Sequence, residues 1–205
     1  MKERPILFSG DMVRAIRDGR KTETRRPVKP QPWAAKWDGI EDRYNTLRWR
    51  PGHGNDWPTP ELSPHGRPSN LLWVRETWGM FNHSDPEGDV FYLADEDKGN
   101  HVLRWRPSIH MPRWACRLVL EVLAVRVERL QDITEEGAKA EGVLLTNKLP
   151  DGMEGLFRPR FAGLWNSIYG KRPGLAWEDN PWVWVTGFKP MEQPASLLLA
   201  AGESS

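Results

Sequence analysis

The chain has 205 residues, a formal net charge of +1 and one cysteine, Cys116. A near-neutral charge excludes a global field that would hold the protein on nucleic acid nonspecifically, and a lone cysteine excludes an intramolecular disulfide framework. No apolar run reaches the ~20 residues of a membrane-spanning helix and no signal-peptide apolar region opens the chain, so a cytoplasmic protein without a membrane partner is expected.

In chain order, residues 5–9 read as a short strand. Residues 11–18 follow as one or two helical turns, with Met12, Val13 and Ile16 on one face, Ser9 as cap and Gly19 suited to the left-handed position after the last turn. Residues 27–68 hold eight prolines and little periodicity, which predicts a long irregular insertion pinned by Trp33, Trp37, Trp49 and Trp57. A strand is expected over 71–78, then a second irregular region over 79–112 with a hairpin strand at 90–93.

Residues 115–130 are the clearest strand. Leu118, Leu120 and Val122 hold one parity, and Leu123, Val125 and Val127 the other. The switch near Leu123-Ala124 predicts a bulge, a device by which a sheet curls toward a barrel. A short helix over 134–141 has Thr134 as cap, Glu135 and Glu136 in its first turn and Gly142 beyond its end. After a third insertion over 145–157, a helix spans 158–169 with Phe161, Leu164, Trp165 and Ile168 on one face. An alternating strand over 182–188 closes a single domain of residues 1–190, and 191–205 read as a flexible tail. The expected class is α+β: a small, partly closed β-barrel with short helices at its rim and long irregular insertions.

Chemistry concentrates in Gly19-Arg20-Lys21-Thr22-Glu23-Thr24-Arg25-Arg26. Seven basic residues fall between Arg14 and Lys29 against two acids, and the segment 128–141 supplies the opposite sign. Thr24 is a weak nucleophile that needs a base. Lys21 can serve if burial or neighbouring cations lower its pKa; the plainer alternative is a solvated lysine at a helix end beside a turn threonine. Glu76 reads either as a site carboxylate or as an ion pair with Arg75 or another arginine, and Trp78 either as a stacking platform or as core. The five histidines show no metal-ligand spacing, so neither metal nor cofactor is expected. Cys116 reads as an inert buried thiol.

The pattern Gly19-x-Lys21-x-x-Thr24-x-Arg26 resembles the signature loop of the ASCH family, small barrels related to the PUA RNA-binding fold. The family's general loop has glutamate where this chain has Thr24, and the branch that hydrolyses 4-acetylcytidine has threonine there. The resemblance continues in Trp182-Val183-Trp184-Val185-Thr186-Gly187-Phe188-Lys189. The layout from Ile6-Leu7-Phe8-Ser9 through Leu72-Trp73-Val74-Arg75-Glu76-Thr77-Trp78 to Ile109-His110-Met111-Pro112-Arg113-Trp114 is similar to the larger phage and prophage members. It implies an amidohydrolase acting on an N-acylated cytidine-type nucleoside through Lys21, Thr24 and a glutamate. That glutamate lies seven residues after the threonine opening the short helix; counted from Thr134, it is Glu141. Arg26, with Arg25, Glu76 and Trp78, is then expected to hold the substrate. The alternatives are a PUA-like module that binds RNA or a modified nucleotide, and a metal-independent ribonuclease.

Overall fold

Five strands form one mixed sheet in the order β1-β5-β8-β9-β2. They are β1 (Glu3–Leu7), β2 (Glu23–Pro27), β5 (Leu71–Arg75), β8 (Val119–Arg129) and β9 (Trp182–Pro190). Only β1 and β5 pair in parallel; the other ladders are antiparallel. Two-residue strands β3 (Ile40–Glu41) and β4 (Leu47–Arg48) pair with each other, as do β6 (Trp78–Met80) and β7 (Val90–Tyr92). Among the described residues the α-helices are α1 (Gly10–Arg17), α2 (Glu135–Ala140) and α3 (Phe157–Tyr169). The computed structural model describes residues 2–29, 31, 40–41, 47–48, 63–80, 90–95, 102, 104–143 and 156–191. Trp33, Trp37, Trp49 and Trp57, most of the three expected insertions and the tail beyond Met191 lie outside them.

The molecule is α+β. The alternating residues of β9 separate its two main cores. Val183 and Val185 pack with Leu130, Ile133, Ala138, Phe161 and Trp165 beneath α2 and α3. Phe188 lies on the other face with Ile6, Phe8, Val13, Ile16, Leu72, Leu120 and Val122 beneath α1. Burying both faces of a strand in this way explains its run of large apolar residues.

The parity switch in β8 is a bulge. Val122 pairs with Phe188 and Ala124 with Gly187, which leaves Leu123 over and half exposed. A bulge adds local twist, and the sheet curls enough for its two edges to approach. The Arg26 guanidinium of β2 donates to the Leu7 carbonyl of β1 at 3.0 Å. Among the described residues no ladder joins β1 to β2, so the expected barrel is an open curled sheet with a side chain spanning its edges.

Helix caps follow the sequence reading. Ser9 Oγ accepts from the Met12 amide, Thr134 Oγ1 accepts from Gly137, and Gly19 has φ +72°. The Glu135 carboxylate accepts from the amides of Phe157 and Arg158, and so caps α3 from a neighbouring helix. Two expectations are revised. The strand expected over 71–78 stops at Arg75, because Glu76 turns inward to Arg117 and Trp78 joins the separate β6–β7 hairpin. On α3 the buried stripe is Phe161, Trp165 and Tyr169, with Ile168 exposed. Tyr169 packs its ring 4.5 Å from that of Trp165, and this rotates the buried face by one residue.

Candidate functional site

Helix α1 ends at Arg17, with only its cap Asp18 before the basic loop, and two backbone bonds fix the exit. The amides of Arg20 and Lys21 both donate to Ala15 O, at 2.8 and 2.9 Å. The Thr22 amide donates to Ala140 O, and Lys21 forms an antiparallel bridge with Glu141. The end of α2 is thereby stitched to the start of β2. Gly142 makes this approach possible. Its φ is +78°, and a Cβ there would sit 2.8 Å from Lys21 Cβ and 2.9 Å from Ala15 Cβ.

The side chains converge as well. Lys21 is fully buried, and its Nζ donates to Glu141 Oε2 at 2.6 Å, to Glu141 O at 2.9 Å and to Glu23 O at 2.8 Å. Three acceptors match the three protons of an ammonium. Burial pushes the Lys21 pKa below the usual amine value; Glu141 opposes this shift, while Arg26 and Arg25 add to it. The other Glu141 oxygen, Oε1, accepts from Arg25 Nη1 at 3.4 Å.

Alternation along β2 sends its arginines to opposite faces. Arg25 enters a network with Glu23, Glu128 and Glu141, and Arg126 closes the Glu23–Glu128 side. Arg26 turns instead with Thr24 toward the α1 side of the sheet. Its Nη1 donates to Thr24 Oγ1 at 2.8 Å and to Arg25 O at 2.9 Å. Lys21 Nζ and the Arg26 guanidinium each lie 5.5 Å from the Phe8 ring centroid, so Phe8 carries two cations. Thr24 is fully buried, and the partner of its hydroxyl is Arg26 rather than Lys21.

Two surface concavities border this bridge. One, of about 300 Å³, is lined by Glu23, Arg25, Arg126, Glu128, Thr134 and Ala140 among others. The other, of about 510 Å³, has a largely apolar wall that includes Thr22, Ala140, Val143 and Phe157. Neither wall includes Thr24.

The remaining sequence candidates lie elsewhere. Glu76 is buried under a two-pronged pair with Arg117, at 2.9 and 3.0 Å, and Arg117 also holds Asp95. Its partner is thus Arg117, not Arg75, and burial raises the Glu76 pKa against that cation's pull. Trp78 is 1% exposed, edge-on to Trp114 and beneath the Arg106 guanidinium. Its ring is core and offers no open face for stacking. Cys116 is buried in the same cluster, where burial pushes its thiol pKa up. No group of three or more metal-ligating side chains forms among the described residues.

One element escaped the sequence reading. Thr186 lies directly opposite Thr24 in the β2–β9 ladder, and its Oγ1 is 3.3 Å from His65 Nδ1. The only local sign was a histidine inside a Pro-His-Gly turn, in a stretch without periodicity. Comparison of the chain with protein-family models, with curated proteins and with solved structures finds no match.

Proposed function

We propose that the chain is an ASCH-type amidohydrolase, its curled sheet a variant of the PUA-like barrel, acting on an N-acylated cytidine-type nucleoside. The observation that carries this reading is the 2.6 Å contact between Lys21 Nζ and Glu141 Oε2, residues 120 apart in sequence. The Gly-x-Lys-x-x-Thr-x-Arg resemblance names the same two residues, together with Thr24.

Thr24 Oγ attacks the acyl carbon while its proton passes to the neutral form of Lys21. The carbon–nitrogen bond then breaks, and Lys21 returns the proton to the departing exocyclic nitrogen. Water, activated by Lys21, hydrolyses the Thr24 ester and releases the carboxylic acid. The depressed Lys21 pKa favours the base form this step requires. Glu141 holds the amine in place and stabilises the ammonium when it forms. Arg26, already on Thr24 Oγ1, stabilises negative charge at that oxygen and on the acyl oxygen.

The test is product release from 4-acetylcytidine, with cytidine and acetate formed one to one. Thr24→Ala and Lys21→Met should each lower the rate by at least about a thousandfold with the fold intact. No turnover by wild type across a panel of acyl cytidines overturns the reading.

A second reading, a PUA-like module that binds RNA or a modified nucleotide without turnover, is favoured by one observation. Every Lys21 proton already has an acceptor, so the lysine is built as a strut as much as a base. Saturable binding of a nucleoside or oligonucleotide without product would support it.

A further inference from the structure

Side chains that take no part in the Lys21 network collect on one outward face. Residues 104–120 carry four arginines, one histidine and no carboxylate. Arg117 turns inward to Glu76 and Asp95. Arg104 and His110 are exposed, and Arg106 and Arg113 are half-buried. Arg75 of β5 joins this group by donating to the Ile109 carbonyl. Glu3 pairs with Arg113 and offsets one of the charges.

An aromatic surface lies among these cations. Trp114 is 51% exposed, yet its ring meets that of the buried Trp78 at 90° and 5.6 Å. The contact fixes the Trp114 plane while half of the residue stays in water. The Arg106 guanidinium lies 4.8 Å from the Trp78 ring centroid. Trp73 carries two guanidiniums, Arg75 at 5.3 Å and Arg113 at 6.0 Å. Trp114 follows Arg113 in the chain, so these contacts join Arg106, Trp114, Arg113 and Arg75 into one continuous surface.

The backbone beneath it is held in place. Arg106 and Trp78 exchange both amide–carbonyl bonds, at 2.8 and 3.2 Å. The amides of His110 and Cys116 close turns onto the carbonyls of Pro107 and Arg113, and Met111 is buried between the two turns. A preformed surface of this kind loses little freedom when a ligand covers it.

An indole held open to water gains from being covered by a flat apolar face, and guanidiniums match phosphate geometry. Unpaired nucleotides offer both, a base to stack and an anion beside it. A duplex hides its base faces, and an acidic peptide brings carboxylates without a ring for the indole. The near-neutral net charge confines the attraction to this face.

We propose that the Trp114 face is a docking surface for single-stranded nucleic acid, with a base stacked on Trp114 and phosphates held by Arg104, Arg106 and Arg75. It rests on neither reading of the Lys21 centre.

The test is binding of a fluorescent oligouridine of about twelve nucleotides to the full-length protein over a series of salt concentrations. Wild type should bind with an affinity that falls as salt rises. Trp114→Ala should weaken binding by about tenfold or more, and Trp114→Phe, which keeps a ring, should stay within about threefold of wild type. Arg104→Gln, at an exposed position, should reduce the slope of log affinity against log salt by about 0.7, the share of one phosphate contact. Thermal unfolding checks the fold of each variant.

Absence of salt-dependent oligouridine binding by wild type overturns the proposal, as does equal affinity in Trp114→Ala. An RNA duplex that binds as tightly as the single strand also overturns it, and poly-aspartate binding as tightly assigns the face to an acidic protein instead. Turnover of 4-acetylcytidine, present or absent, leaves each of these outcomes readable.

Discussion

Lys21 Nζ makes two of its three hydrogen bonds to Glu141, one to the carboxylate at 2.6 Å and one to the backbone carbonyl at 2.9 Å. A buried charge held this closely costs much when its partner alone is removed. Arg25 also leans on Glu141 but keeps Glu128 and Glu23, so Glu141→Gln leaves Lys21 as the buried amine without its carboxylate. It should destabilise the fold by about 3–5 kcal/mol in urea unfolding at neutral pH. Lys21→Met should cost less, because Glu141 keeps Arg25. The reverse order would show that the pair does not hold α2 to β2.

Gly142 and Gly163 should respond in opposite directions to alanine. At Gly142 a methyl group meets Lys21 and Ala15 below 3 Å on a backbone with positive φ. Gly142→Ala should lose about 2 kcal/mol or more. At Gly163, inside α3, nothing lies within 4 Å of an added Cβ. Gly163→Ala should gain about 0.5–1 kcal/mol from helix propensity. Denaturant midpoints of the two variants check both signs.

The Glu76–Arg117 pair should be asymmetric. Burial raises the Glu76 pKa above the usual carboxylate value. The stability linked to this group is thus present below the unfolded pKa and diminishes as pH rises through the folded one. Glu76→Gln keeps the shape and an acceptor oxygen, and should cost under about 1 kcal/mol near neutral pH. Arg117→Met strands a buried carboxylate and should cost about 3–5 kcal/mol. Equal costs in thermal or urea unfolding would contradict this.

His65 makes acid stability measurable at one residue. Its folded pKa, about 3, lies below the ordinary value of 6.5. The unfolded chain therefore takes up a proton that the folded one refuses. Stability is full above pH 6.5 and is lost at about 1.4 kcal/mol per pH unit as pH falls from there toward 3. Between pH 7 and 5 the wild type should lose about 2 kcal/mol more than His65→Asn. Parallel stability curves for the two proteins would exclude a neutral buried imidazole.

Local chemistry in the sequence determined most of the elements. Ser9 and Thr134 are caps because a hydroxyl just before a helix satisfies a free amide, and the β8 bulge is written in the parity switch at Leu123. Spacing alone left Lys21 open between a base and a solvated helix-end lysine; only the family resemblance named Glu141 as its partner, and the fold brings those two side chains together. What the sequence could not hold was direction. Arg25 and Arg26 are neighbours of the same charge, yet pleating sends one into an ion network and the other onto Thr24. Glu76 and Trp78 were open to a pocket as well as to an ion pair and a core, and burial in the folded chain assigns them to Arg117 and Trp114. His65 had no periodic pattern around it, because its place depends on contacts with β1, β8 and β9 that close only in three dimensions. The surroundings of Lys21 were likewise undecided until the fold gave its amine three oxygen partners and removed the water.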